Sequence, residues 1–255
     1  MSERPCILIS NDDGILSPGI VALAEALATV GEVAVVAPER NWSAVGHTRT
    51  MHKPLRATQV GFPNQILAYE SNGSPSDCVA LALLGLVKGP IALVVSGINA
   101  GPNMGTDILY SGTFAAAAEG TLVGLPALAV SLDMGQSRNF KQAARYAARV
   151  AQAMLAHPAA PPWLLNVNVP DRPDGEISGI EVTRLGTRVY RDALVERVDP
   201  RGHRYFWIGG EVPGGVVEEG TDIGAVAAGR VSVTPVRLDL TDRERMAELR
   251  QWQWE

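Results

Sequence analysis

Five short apolar runs, separated by stretches of helical periodicity, constrain this chain more than any other feature. They lie at Cys6–Ser10, 33–37, 91–96, 127–131 and 164–169, and are apolar along most of their length rather than at alternate positions. Such runs read as strands buried on both faces, the condition of a parallel sheet covered by helices. Ser17-Pro18 sets a capping hydroxyl and a first-turn proline before a helical segment at 20–29, and Ser74-Pro75-Ser76-Asp77 does the same before 79–87. An Ala-rich helix is expected at 139–156, with Lys141, Arg145 and Arg149 spaced along one face. Strands and helices alternating in this way need right-handed crossovers. The predicted fold is therefore α/β: three-layer, doubly wound, with a mostly parallel, Rossmann-like sheet.

The last third changes character. Residues 179–210 are rich in Val, Arg, Tyr and Trp around Asp199-Pro200-Arg201-Gly202, which predicts a β-ribbon with a turn, an arm protruding from the core. A short helix at 221–228, a final strand at 230–234 and a polar C-terminal helix within 241–255 are expected to follow. A chain of 255 residues can hold one large domain or two small ones. No linker, repeat or low-complexity stretch divides the sequence, so one domain over 1–255 is expected.

Composition narrows the partners. With 22 Lys+Arg against 27 Asp+Glu, a net charge of −5, the chain has no basic field to hold a nucleic-acid polymer by counterion release. A small phosphorylated substrate is still compatible, because a bound cation reverses the field locally. The longer apolar stretches are broken by Glu25 and by Glu119, Gly120, Gly124 and Pro126, so no membrane span is expected. The N-terminus shows no secretory pattern, and Cys6 and Cys78 each sit in an apolar run. Both thiols read as reduced and buried, which points to a cytoplasmic protein.

In doubly wound sheets, ligands sit at the carboxyl ends of the strands. After the first strand comes Ser10-Asn11-Asp12-Asp13-Gly14, where a turn at Gly14 can aim two carboxylates at one point. Either aspartate could instead cap the turn or the helix behind it. The loop after the second strand carries Ser43, with His47 and His52 as weaker acid–base candidates. The strand at 91–96 runs into Ser96-Gly97-Ile98-Asn99-Ala100-Gly101-Pro102-Asn103, a Gly/Asn loop with neither dinucleotide nor Walker spacing. Tyr110-Ser111-Gly112-Thr113 opens a helix whose free N–H groups suit phosphate oxygens, although Ser111 acting as an ordinary N-cap would look the same.

Asp12, Asp13, Ser43 and Asn99 together form a hard-oxygen set suited to one divalent ion, Mg²⁺ or Mn²⁺. Zinc fits less well, because no Cys/His spacing of the tetrahedral kind occurs. A metal beside a helix N-terminus points to phosphomonoester hydrolysis by a metal-activated water, with Asp12 and Asp13 as the catalytic carboxylates. The alternatives are a haloacid-dehalogenase-like phosphatase with an aspartyl nucleophile, and a non-catalytic nucleotide sensor. The first needs its two aspartates two residues apart, whereas Asp12 and Asp13 are adjacent.

Several of these motifs in this order resemble the SurE family, the stationary-phase survival proteins that are metal-dependent 5′/3′-nucleotidases. The likeness runs through Ile9-Ser10-Asn11-Asp12-Asp13-Gly14, Val36-Ala37-Pro38, Asn72-Gly73-Ser74-Pro75-Ser76-Asp77-Cys78, Ser96-Gly97-Ile98-Asn99 and Tyr110-Ser111-Gly112-Thr113. It continues through Leu165-Asn166-Val167-Asn168-Val169-Pro170, Val182-Thr183-Arg184-Leu185-Gly186 and Gly220-Thr221-Asp222. The resemblance implies hydrolysis of nucleoside 5′- and 3′-monophosphates, and in some members of short polyphosphate. It implies Asp12, Asp13, Ser43 and Asn99 as metal ligands, and Asn103, Ser111, Gly112 and Thr113 as phosphate contacts. It further implies a homodimer or homotetramer in which the C-terminal ribbon reaches a neighbouring subunit. Trp42, Val45 and Phe114 depart from the family pattern, and Gln251-Trp252-Gln253-Trp254-Glu255 lies outside it.

Overall fold

Aliphatic and β-branched runs become strands here because their side chains fill both faces of a pleated surface without bringing a polar group into it. The computed structural model describes residues 4–135, 137–173, 175–211 and 213–254. In chain order the elements are β1 (Cys6–Ser10), α1 (Pro18–Leu27), β2 (Glu32–Pro38), β3 (Ala57–Gln59), β4 (Leu67–Ser71), α2 (Pro75–Leu81), β5 (Ile91–Ala100) and α3 (Gly112–Leu122). Then come β6 (Ala127–Asp133), α4 (Phe140–Ala156), β7 (Leu164–Pro170), β8 (Ile180–Val182), β9 (Arg188–Val189), β10 (Asp192–Val198) and β11 (Arg204–Gly210). The chain closes with β12 (Gly214–Gly215), α5 (Asp222–Ala227), β13 (Val231–Pro235) and α6 (Arg243–Leu249).

Nine strands form the main sheet in the order β3-β4-β2-β1-β5-β6-β7-β13-β8. The six from β4 to β7 are mutually parallel, while β13 runs antiparallel to β7 and β3 antiparallel to β4. The winding direction reverses between β1 and β5, and that reversal opens a crevice beyond their carboxyl ends. On one face α1 and α4 bring Leu23, Leu27, Ala147 and Val150 against Ile7, Ile9 and Val95. On the other, Val79 of α2 and Phe114 and Ala117 of α3 cover Leu8, Val36 and Val94. Leu8 has no exposed surface, so cutting it to Ala is worth about 2–5 kcal/mol.

The mostly parallel α/β sheet matches the expectation from sequence, and the differences have local causes. The helix expected at 79–87 begins earlier, at Pro75 behind the Ser74 cap, and its regular part ends at Leu81; Gly85, at φ 114°, lies in the wider turn that closes it. β4 was not foreseen, because Leu67–Ser71 mixes buried and half-exposed positions rather than forming an apolar run. The ribbon expected at 179–210 divides. Ile180–Val182 pairs with β13 inside the main sheet, and the hairpin itself is β10 against β11. The C-terminal helix is confined to Arg243–Leu249, and Glu255 lies outside the described residues.

Candidate active site

The site is built from four chain segments that meet at the crevice between β1 and β5. Asn11, fully buried, makes the turn after β1: its Nδ2 donates to the Gly14 carbonyl (3.0 Å) and to Ser17 Oγ (2.8 Å), and its Oδ1 accepts from Gly14 N (3.2 Å). Ser17 caps α1. Turn-making and capping therefore fall to Asn11 and Ser17, which frees Asp12 and Asp13 from the bland role the sequence left open.

Asp12 points toward α3, where Thr113 Oγ1 donates to its Oδ1 at 2.5 Å. Gly112 is required for this approach, since a Cβ there would lie 2.7 Å from Asp12 Cβ. Asp13 has other partners. Its Oδ2 accepts from the Ala100 N–H at the end of β5 (3.1 Å) and its Oδ1 from Asn41 Nδ2 (3.3 Å). Ser43 reaches the cluster through Asn41, whose Oδ1 accepts from both Ser43 N (2.7 Å) and Ser43 Oγ (2.6 Å). Trp42 N donates to the Asp12 carbonyl at 2.8 Å, which ties this loop to the β1 turn.

A register shift between Ser96 and Asn99 brings Asn99 to the rim of the sheet. Gly97 there has φ 140° and lies so close to β6 that a Cβ would sit 2.4 Å from the Val130 carbonyl oxygen. Asn99 Nδ2 donates to the Gly101 carbonyl at 2.9 Å. Asn103 is held from three sides. Its N–H donates to Asn168 Oδ1 (2.8 Å), its carbonyl accepts from Asn166 and Asn168 (2.8 and 3.0 Å), and its side chain donates to Ser131 Oγ (2.8 Å). Ser111 caps α3 by accepting from Phe114 N at 3.0 Å.

Electrostatics set these groups apart. Asp12 is 4% exposed, and burial, reinforced by the charge of Asp13 and opposed by the Thr113 hydrogen bond, raises its pKa to about 6. Burial also pushes Asp13 up, against the Ala100 N–H that stabilises its anion. Two adjacent desolvated carboxylates form a site that gains from a cation. Among the described residues no three His, Cys, Asp or Glu side chains cluster as a cage. The available donors are hard oxygens, two of them charged, which suits a hydrated divalent ion and not a tetrahedral zinc site. A cleft of about 510 Å³ opens beside Asp13, with Leu16, Glu39, Arg138 and Phe140 in its walls.

His47, weighed from sequence as an acid–base group, instead joins Glu119 of α3 through Nε2 and Oε2 at 2.6 Å. Asn41 and the Asn166–Asn168 pair were not foreseen as parts of the site. The pair left a signal, two asparagines at alternate positions of a buried strand. Asn41 left none, because its work lies between side chains from two separate loops.

The family model described as "Survival protein SurE" matches residues 7–192. A "5'-nucleotidase SurE" of Chloroflexus aggregans is 51% identical over 251 residues, 98% of this chain and 99% of that protein. Its counterpart in Moorella thermoacetica is 50% identical over 244 residues, 95% of this chain and 94% of that protein. The crystal structure of the SurE protein from Aquifex aeolicus superposes with a TM-score of 0.84 at 41% identity, covering 96% of this chain and 98% of that one.

Proposed function

Because the chain belongs to the survival protein SurE family, we propose that it is a metal-dependent 5′-nucleotidase that hydrolyses nucleoside monophosphates to nucleoside and phosphate. The observation that carries this reading is Asp12 bonded by Thr113 at the N-terminus of α3, with Asp13 beside it against the end of β5, at the switch point of the sheet. Neither the haloacid-dehalogenase reading nor the sensor reading gains support from this arrangement.

Asp12 and Asp13 are the catalytic carboxylates and, with Ser43 and Asn99, the ligands of one divalent ion. Mg²⁺ or Mn²⁺ held there supplies positive charge against the phosphate oxygens and makes a neighbouring water more acidic. The protein's own part is placement. Thr113 fixes the Asp12 carboxylate, Ala100 and Asn41 fix that of Asp13, and Asn41 links Ser43 to it by accepting from the Ser43 hydroxyl. The first N–H groups of a helix have no partner within it. Those of Gly112 and Thr113, with the Ser111 hydroxyl and Asn103, take the phosphate oxygens as charge shifts during transfer. The cleft beside Asp13 falls within the usual range of small-ligand sites, about 300–1,000 Å³. We place the enzyme in the cytoplasm, as a homodimer or homotetramer joined through the β10–β11 ribbon. No helix among the described residues is long and apolar enough to cross a membrane.

The test is a phosphate-release screen over nucleoside 5′- and 3′-monophosphates and short polyphosphate, with each cation and with EDTA. EDTA is expected to abolish release, and Mn²⁺ or Mg²⁺ to restore it. Release that ignores both chelator and cation would refute the metal-dependent reading.

A further inference from the structure

One buried ionisable group has no part in the chemistry described so far. Glu119 lies in α3 beside the buried run Ala115–Ala118, and 3% of its surface reaches solvent. Both of its oxygens face the loop after β2. Oε2 bonds His47 Nε2 at 2.6 Å, and Oε1 accepts from an Arg49 guanidinium N–H. Burial raises the Glu119 pKa, but the His47 bond and the Arg49 charge outweigh it and hold the carboxyl below its ordinary value.

Further bonds tie the same loop to the start of α3 and to the start of α2. Gly46 N donates to the Tyr110 carbonyl just before the helix (2.9 Å), and Ser74 Oγ donates to the Thr48 carbonyl (3.0 Å). Thr50 N donates to Asp77 Oδ1 of α2 at 3.0 Å. Residues 41–53 form no strand or helix, so polar bonds, not packing of a regular element, set the path of the loop. Ser43 lies four residues before His47 in this run, between the Trp42 bond to the Asp12 carbonyl and the anchor on Glu119. Thr113 and Glu119 sit on one helix, so the helix that holds Asp12 also anchors the loop that carries Ser43.

We infer that Glu119 is a positioning residue: through His47 and Arg49 it keeps the Ser43 loop aligned with α3 and so completes the ion site. The inference rests on the reading of Ser43 and Asp13 as ion ligands. Outer groups that orient metal ligands change affinity by about 10- to 100-fold when they are removed.

The experiment is a double-mutant cycle on the full chain, with Mn²⁺ binding to chelator-treated protein measured by calorimetry and phosphate release from AMP measured alongside. Glu119→Gln and Ser43→Ala are each expected to weaken Mn²⁺ binding by about tenfold or more. The double variant should be no weaker than the worse single one, and kcat should fall more than KM rises. A role confined to stability would lower Tm and leave the Mn²⁺ affinity of the folded fraction unchanged, which would overturn the inference. So would losses that multiply in the double variant. If Glu119→Gln does not fold, His47→Gln, at a side chain 36% exposed, runs the same cycle. Asp13→Asn separates the two claims. Loss of Mn²⁺ binding there, with none in the Glu119 and His47 variants, leaves the ion site standing and removes only the positioning role. Unchanged binding in Asp13→Asn removes both.

Discussion

At Asp12 the protein keeps an anion where little water reaches, with a neutral Thr113 hydroxyl as partner. Raising its pKa from 3.8 to about 6 sets about 3 kcal/mol against the ionised form at neutral pH. The sign follows: a carboxyl whose folded pKa is raised costs stability above that value, and the cost disappears as pH falls toward 4. Asp12→Asn should therefore raise the Tm of metal-free protein at pH 8 and leave it unchanged near pH 4, as differential scanning fluorimetry in EDTA will show. The same variant, and Asp13→Asn, should lower phosphate release by on the order of 10³-fold, the several kcal/mol that a bound ion contributes. Wild-type turnover by either variant would remove the site. Gly112→Ala is the steric counterpart. Its Cβ would meet Asp12 Cβ at 2.7 Å, so activity should drop sharply while circular dichroism stays that of the native fold. The position of the Asp12–Asp13 pair was legible in the sequence, because an aspartate pair directly after a buried strand and before a glycine falls at the carboxyl end of the sheet; a turn or capping role was equally open there, and Asn11 and Ser17 take it. Asn41 was not, since its two partners come from different loops.

Among the elements, α2 shows how one side chain can serve both its helix and a distant loop. Asp77 Oδ2 accepts from Ser74 N at 2.9 Å to complete a capping box, while Oδ1 holds Thr50 N. Burial raises the Asp77 pKa, but the hydrogen bonds from Thr50 and Ser74 more than offset it and leave the carboxyl below its ordinary value. A depressed acid stabilises the fold above its unfolded pKa, about 3.9, and loses that contribution as pH falls through the folded one. Asp77→Asn should thus cost about 1–2 kcal/mol in urea unfolding at pH 7, with the difference shrinking below pH 4. An equal cost at pH 3 and pH 7 would show that the charge is not what matters. The cap was readable from Ser-Pro-Ser-Asp. The bond to Thr50, 27 residues away, was not, because local sequence carries no record of such distant pairings. β4 escaped for a related reason: its half-polar pattern becomes a strand only when β2 lies beside it.

For the whole molecule, strand–helix alternation was enough to read the parallel core, but what β10 and β11 do depends on surfaces that no run of residues displays. In their register Leu194 faces Ile208 and Val195 faces Trp207, so apolar side chains occupy both faces of the ribbon. Leu194 is 72% exposed, Trp207 65% and Ile208 84%. A two-stranded ribbon is marginal on its own, and bare apolar groups on both faces leave it without a core. We infer that a second copy of the chain covers it, in keeping with the homo-oligomer proposed above. Trp207→Ser combined with Ile208→Glu should then shift the species seen by light scattering from oligomer to monomer, while AMP turnover per subunit persists if Asp12, Asp13 and α3 keep their places. Wild-type protein that scatters as a monomer at assay concentration would refute this cover. Dissociation with full loss of turnover would mean instead that the neighbour supports the site itself, and that the crevice between β1 and β5 is complete only in the assembly.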